Sequence, residues 1–132
     1  MRFVVEHSVS TRLTEAIAIL AAFDGDEVVH LRTHYAQETL DPVWLQGLGQ
    51  REPNSIVISA DPRITRSPQD REAWLESGLT MFFLRSFAGL TPWDQAAKLV
   101  KWWPEIRVAA GRSTRGDGFL VSVNGKIERM RR

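Results

Sequence analysis

Glu6, Asp41 and Asp61 are the residues whose type and placement in this chain point most directly to chemistry. Glu6 closes the apolar run Phe3-Val4-Val5, and Asp61 follows Ile56-Val57-Ile58-Ser59-Ala60. Asp41 opens the segment Asp41-Pro42-Val43-Trp44-Leu45. Each falls where a buried strand yields to a loop or where a helix begins. In an open α/β sheet the strand ends share one rim, so residues far apart in sequence can meet there. Carboxylates gathered on a rim repel one another unless a cation sits between them, and hard oxygen ligands favour Mg²⁺ or Mn²⁺. The chemistry implied is metal-assisted attack on a phosphodiester.

Each acid also has a plainer reading. A charge directly after a buried strand is costly unless paired, hydrogen-bonded or metal-bound, so Glu6 is either a ligand or a solvated strand terminus. Asp61 before Pro62 fits an Asx-turn. Asp41 before Pro42 fits a helix N-cap, and Glu38, three residues earlier, competes with it for the second position. Asp94 is a fourth candidate ligand, although its place three residues after Thr91 also makes a capping box. Asp70 stands likewise after Ser67 and reads as structural, and Glu72 reads as a solvated helix residue. Arg63 and Arg85, both just beyond strand ends, are candidates for positioning a substrate phosphate.

Other chemistries find less support. His7, His30 and His34 form no ligand spacing such as HExxH. With no cysteine and no GxSxG elbow, acyl transfer is unsupported. Neither GxGxxG nor GxxxxGK[ST] occurs, which argues against a nucleotide-cradling loop. Trp93, Trp102 and Trp103 could stack on bases, but at helical spacing beside Leu99 and Ile106 they read as core or as a dimer interface.

The elements that must position these groups follow from periodicity. Residues 2–6 predict a short strand buried on both faces. Ser8 and Ser10 offer N-caps for a helix over about 11–23, with Leu13, Ile17, Leu20 and Ala21 inward and Asp24-Gly25 as its stop. Val28-Val29-His30-Leu31 predicts a second strand. Asp41-Pro42, Ser67-Pro68 and Thr91-Pro92 each place a capping side chain before a proline at a helix start. Strands at about 55–60 and 79–84 lie between them. The helix from Pro92 turns Ala96, Leu99, Val100 and Trp103 inward, is broken or kinked at Pro104, and continues to about Ser113. Phe119-Leu120-Val121-Ser122-Val123, the turn at Asn124-Gly125 and a closing strand make a hairpin. This order predicts an α/β fold: a mainly parallel sheet of about five strands, helices on both faces, and a C-terminal β-hairpin.

At 132 residues the chain is expected to be one domain, residues 1–132, able to bury one substantial core. No apolar stretch approaches the roughly 20 residues that span a bilayer, so no membrane partner is expected. The start turns acidic too soon for a secretory signal, and cysteine is absent. Both make a cytoplasmic location the expectation. The net charge of +1 conceals an asymmetry. Residues 1–97 hold 8 Lys/Arg and 13 Asp/Glu, a balance of −5, whereas residues 98–132 hold 9 and 3, a balance of +6. An acidic body could hold a cation while the basic C-terminal segment, with Arg112, Arg115, Arg129, Arg131 and Arg132, held phosphates or merely solvated a surface.

Three stretches together resemble the PIN-like domains: Phe3-Val4-Val5-Glu6-His7-Ser8-Val9-Ser10, Val28-Val29-His30-Leu31-Arg32 and Ile56-Val57-Ile58-Ser59-Ala60-Asp61-Pro62-Arg63-Ile64. The group that they resemble most is the compact bacterial one related to VapC-type toxins. The resemblance implies a three-layer PIN-like fold and a Mg²⁺- or Mn²⁺-dependent endoribonuclease, with the family's acids at Glu6, Asp41 and Asp61. It also implies an RNA substrate, a homodimer, and neutralisation by a small antitoxin. Two positions depart from the family pattern: Glu6 stands where Asp is usual, and Ser8 where Asn is usual. The extra methylene moves the carboxylate by about 1.5 Å, against a tolerance of about 0.5 Å in catalytic geometry. A catalytically weak PIN-like module that binds nucleic acid or a protein is therefore the rival. A receiver-like phosphoacceptor shares the order of elements but lacks its paired acids and lysine.

Overall fold

The computed structural model describes residues 1–130; Arg131 and Arg132 lie outside the described residues. Its elements, in chain order, are strand β1 (Arg2–Val5), helix α1 (Thr11–Ala21), β2 (Glu27–His30), α2 (Asp41–Arg51) and β3 (Ile56–Ser59). There follow α3 (Arg63–Arg66), α4 (Pro68–Ser77), β4 (Thr80–Leu84), α5 (Pro92–Gly111), β5 (Gly118–Val121) and β6 (Ile127–Arg129). Six strands form one sheet in the order β2-β1-β3-β4-β5-β6. The first five are mutually parallel, and β6 runs antiparallel to β5. The expected parallel sheet and terminal hairpin are both present.

Strand periodicity divides the apolar side chains between the two faces. Phe3, Val5, Ile58, Phe82 and Leu84 face one layer, where Leu13 and Ile17 of α1 join Leu99, Trp102, Trp103 and Ile106 of α5. Val4, Val57, Met81 and Phe83 face the other, with Trp44, Leu45 and Leu48 of α2, Ile64 of α3 and Trp74 of α4. Helices on both faces make three layers. The Trp103 ring packs 4.9 Å from that of Phe3, so this aromatic is core. Trp102 is buried too, but Trp93 is 82% exposed.

Several local expectations are corrected. Leu20 and Val100, read as inward, are 46% and 42% exposed, because the buried stripes of α1 and α5 are narrower than their apolar residues allow. Pro104 does not break α5, which runs on to Gly111. Ser10, Ser67 and Thr91 do cap their helices, each accepting from a backbone N–H three residues on. Asp41 does not cap α2: the residue before that helix is Leu40, and no side chain caps it. At the hairpin only Gly125 of Asn124-Gly125 takes a positive φ, and the Gly125 N–H donates to Ser122 O. A two-residue type I′ turn needs positive φ at both positions, so this connection is a longer turn ending on a left-handed glycine.

Candidate metal centre

The three acids converge. One carboxylate oxygen from each of Glu6, Asp41 and Asp61 lies within 4.8 Å of the others. Glu6 sits one residue beyond β1, where its own N–H donates to Ile58 O at 2.9 Å and prolongs the pairing with β3. Side-chain alternation after Val4 and Val5 then turns Glu6 toward the face that α2 covers. Ser59, the single polar residue of β3, faces the same way.

Glu6 is 3% exposed and fully engaged. The Ser59 Oγ–H donates to its Oε1 at 2.8 Å, the Ser8 N–H donates to Oε2 at 3.1 Å, and the Ser8 hydroxyl donates to Oε1. Burial pushes the Glu6 carboxyl above its ordinary range, the charge of Asp61 adds to this, and the serine hydrogen bonds partly offset it. Ser8 Oγ also accepts from the Ala60 N–H at 2.8 Å, tying the loop after β1 to the end of β3. The serine that stands in place of the family's usual asparagine thus has a definite task.

Asp61 realises both of its readings. The Arg63 N–H donates to Oδ1 at 2.9 Å, closing the Asx-turn, while the Arg63 guanidinium reaches Oδ2 at 3.0 and 2.8 Å. Burial alone would raise the Asp61 carboxyl, but the hydrogen bonds and charge of Arg63 hold it below the usual range. Asp41 Oδ1 accepts from the Trp44 indole N–H at 2.9 Å, and Trp44 is fully buried. A core aromatic one turn into α2 therefore orients the carboxylate that the helix cap leaves free.

Asp70, read from sequence as a capping residue, also belongs to this rim. Its N–H donates to Ser67 Oγ, as a cap-box residue should, while its side chain meets Asp41. Burial, then the charge of Asp41 and the hydrogen bond between the two, raise the Asp70 carboxyl. The signal that could have found it is the pairing of α2 with α4, which only the tertiary packing supplies. Asp94 lies exposed in the first turn of α5 and is not in the group of three, nor is Glu38 in its exposed loop. His30 is a strut: its Nε2 bonds Val9 O at 2.7 Å, and its Nδ1 accepts from the Arg32 N–H. Part of the positive C-terminal segment is engaged within the fold. Arg107 pairs with Asp26, Arg129 with Asp117, and Arg115 donates to the carbonyls of Pro53 and Ser77.

These residues fit a hard divalent cation. All three donors are carboxylates, and adjacent oxygens around an octahedral ion with bonds of about 2.1 Å lie about 3 Å apart. The three oxygens, all within 4.8 Å of one another, are close to that spacing. An open, mainly parallel sheet whose rim gathers acids able to hold a metal suits a nuclease-type module. The family model for the PIN like domain matches residues 1–86, and the chain belongs to that family. The match spans β1 through β4 and so includes all three acids. No curated protein and no solved structure matched the chain.

Proposed function

We propose that this protein is a Mg²⁺- or Mn²⁺-dependent endoribonuclease, acting as the toxin of a type II toxin–antitoxin pair. The observation that carries the reading is the convergence of Glu6, Asp41 and Asp61, from three separate segments, on one rim. Glu6, Asp41 and Asp61 would hold the cation, with Asp70 fixing Asp41 from α4. The ion, when bound, lowers the pKa of a water and offsets charge on the phosphate and the leaving oxygen. Arg63, 77% exposed at its side chain, can exchange Asp61 for a substrate phosphate, and Arg85 lies at the end of the neighbouring strand. Asp94 stands further from this role as an outer ligand. The toxin role, the small antitoxin, the homodimer and the cytoplasmic setting rest on the VapC-type resemblance. No helix among the described residues is long and apolar enough to cross a membrane.

Asp61→Asn should abolish Mn²⁺-dependent cleavage of an RNA panel and weaken Mn²⁺ binding in the same preparation. Unchanged cleavage would refute the assignment. A second reading, a module that binds RNA without cutting it, is favoured by one observation: three hydrogen bonds already occupy Glu6. Under it, RNA binding survives while Mn²⁺ neither stabilises the fold nor supports hydrolysis.

A further inference from the structure

Helix α3 carries an arginine at each end, and the two are used differently. Arg63 spends its guanidinium on Asp61. Arg66, three residues on, is exposed, and its side chain makes no hydrogen bond or ion pair with the described residues. It opens instead onto a cleft of about 360 Å³ between α3 and the ends of β4 and β5. Pro62 bounds the cleft on the side of the acids, Arg66 and Arg85 line it, and Phe83, Leu120 and Met130 supply an apolar wall. Arg85 is likewise exposed and unpaired among the described residues. Among the described residues no acidic side chain lines the cleft.

The backbone at its mouth is unusual. Ser86, directly after Arg85, has φ 56° and is the only non-glycine residue with positive φ among the described residues. A left-handed serine is uncommon and is held only where its surroundings require it. It turns the chain sharply after β4 and leaves Arg85 in the cleft wall.

We propose that this cleft is a subsite for a nucleotide next to the scissile bond of a single-stranded RNA, with Arg66 and Arg85 on its phosphate. The proposal rests on the nuclease reading and names where the strand runs: from the acids, over α3, to the ends of β4 and β5. Two uncompensated guanidiniums suit a phosphate, and guanidinium hydrogen bonds to phosphate are charge-assisted. An apolar wall beside them suits a base only when the base is unstacked, which selects single strands over duplex.

The test is fluorescence anisotropy of the full chain with a fluorescein-labelled, mixed-sequence single-stranded RNA in EDTA, where no cutting occurs. Arg66→Ala/Arg85→Ala should weaken binding about tenfold and reduce the slope of log K against log salt by about 1.4, as for two lost phosphate contacts. Arg66→Lys/Arg85→Lys should recover much of both. Met130→Ala should weaken binding with the salt slope unchanged. Mn²⁺ affinity of every variant should stay within about twofold of the parent, since none of them touches the acids. Unchanged RNA affinity and slope in the double alanine variant would overturn the subsite, as would equal losses on duplex RNA of the same sequence. Cleavage in Mn²⁺ is scored separately. An RNA that is cut, but whose binding ignores both arginines, removes the subsite alone; an RNA held through them and never cut removes the nuclease alone.

Discussion

Asp61 is asked to do two things at once, and Arg63 decides which prevails. The guanidinium takes both carboxylate oxygens, and the backbone N–H takes Oδ1 again. An ion entering the rim must share or displace that cation. Mn²⁺ affinity measured by titration should therefore rise severalfold in Arg63→Ala, because a charge-assisted partner that opposes the metal is removed. A weaker Mn²⁺ affinity would mean instead that Arg63 chiefly orients Asp61. Glu6 shows the complementary case. Its burial favours the protonated form, and three hydrogen bonds donated by Ser8 and Ser59 partly offset that preference.

At the scale of elements, the site depends on how closely α2 packs on α4. Asp41 begins α2, and Asp70 lies in the first turn of α4, so the gap between these helices sets where the two carboxyls meet. Gly49 permits that approach: a Cβ placed there would stand 2.7 Å from Ser77 O and 3.0 Å from Ser77 Cβ. A backbone oxygen cannot swing aside, so the helices must part. Gly49→Ala should cost about 1–3 kcal/mol in urea denaturation, as overpacking does, and should weaken Mn²⁺ binding along with it. Full stability in this variant would show that α2 can shift freely. The caps of α1, α4 and α5 were legible as Ser10, Ser67 and Thr91, since local chemistry alone selects them. The cap proposed at Asp41 was not, because the buried Trp44 indole competes successfully for the same carboxylate.

Across the whole molecule, the rim opposite the acids carries its own electrostatic fastening. Asp26, 6% exposed just before β2, accepts from the Met1 amino group at 2.8 Å and from Arg107 of α5. Burial would raise the Asp26 carboxyl, but these two cations outweigh it and hold it below the ordinary value. A depressed carboxyl adds stability that is present above the unfolded-state pKa, about 3.9, and is lost as pH falls through the lower folded-state value. Asp26→Asn should therefore destabilise the protein by about 2–3 kcal/mol at pH 7. The gap from the parent should narrow below about pH 4. Urea midpoints across that range measure both, and a gap independent of pH would refute the assignment of charge to this contact.

Much of the architecture is written locally. The unbroken apolar runs at Phe3-Val4-Val5 and Ile56-Val57-Ile58 demand strands covered on both faces, and alternating strands and helices demand a mainly parallel sheet. That order puts Glu6 and Asp61 after parallel strands and so on one rim; that the two strands are neighbours is a finding of the structure. Tertiary packing decided the rest. Asp41 prevailed over Glu38 because Trp44 anchors it, and Asp70 joined because α4 lies against α2. Arg63 bent back onto Asp61, while Arg66 stayed unpaired among the described residues over a cleft. Hydrophobic period and capping act over a few residues and can be read along a chain. The partner of a charged side chain depends on which distant surfaces come within a few ångströms of it, and that is set only when the layers close.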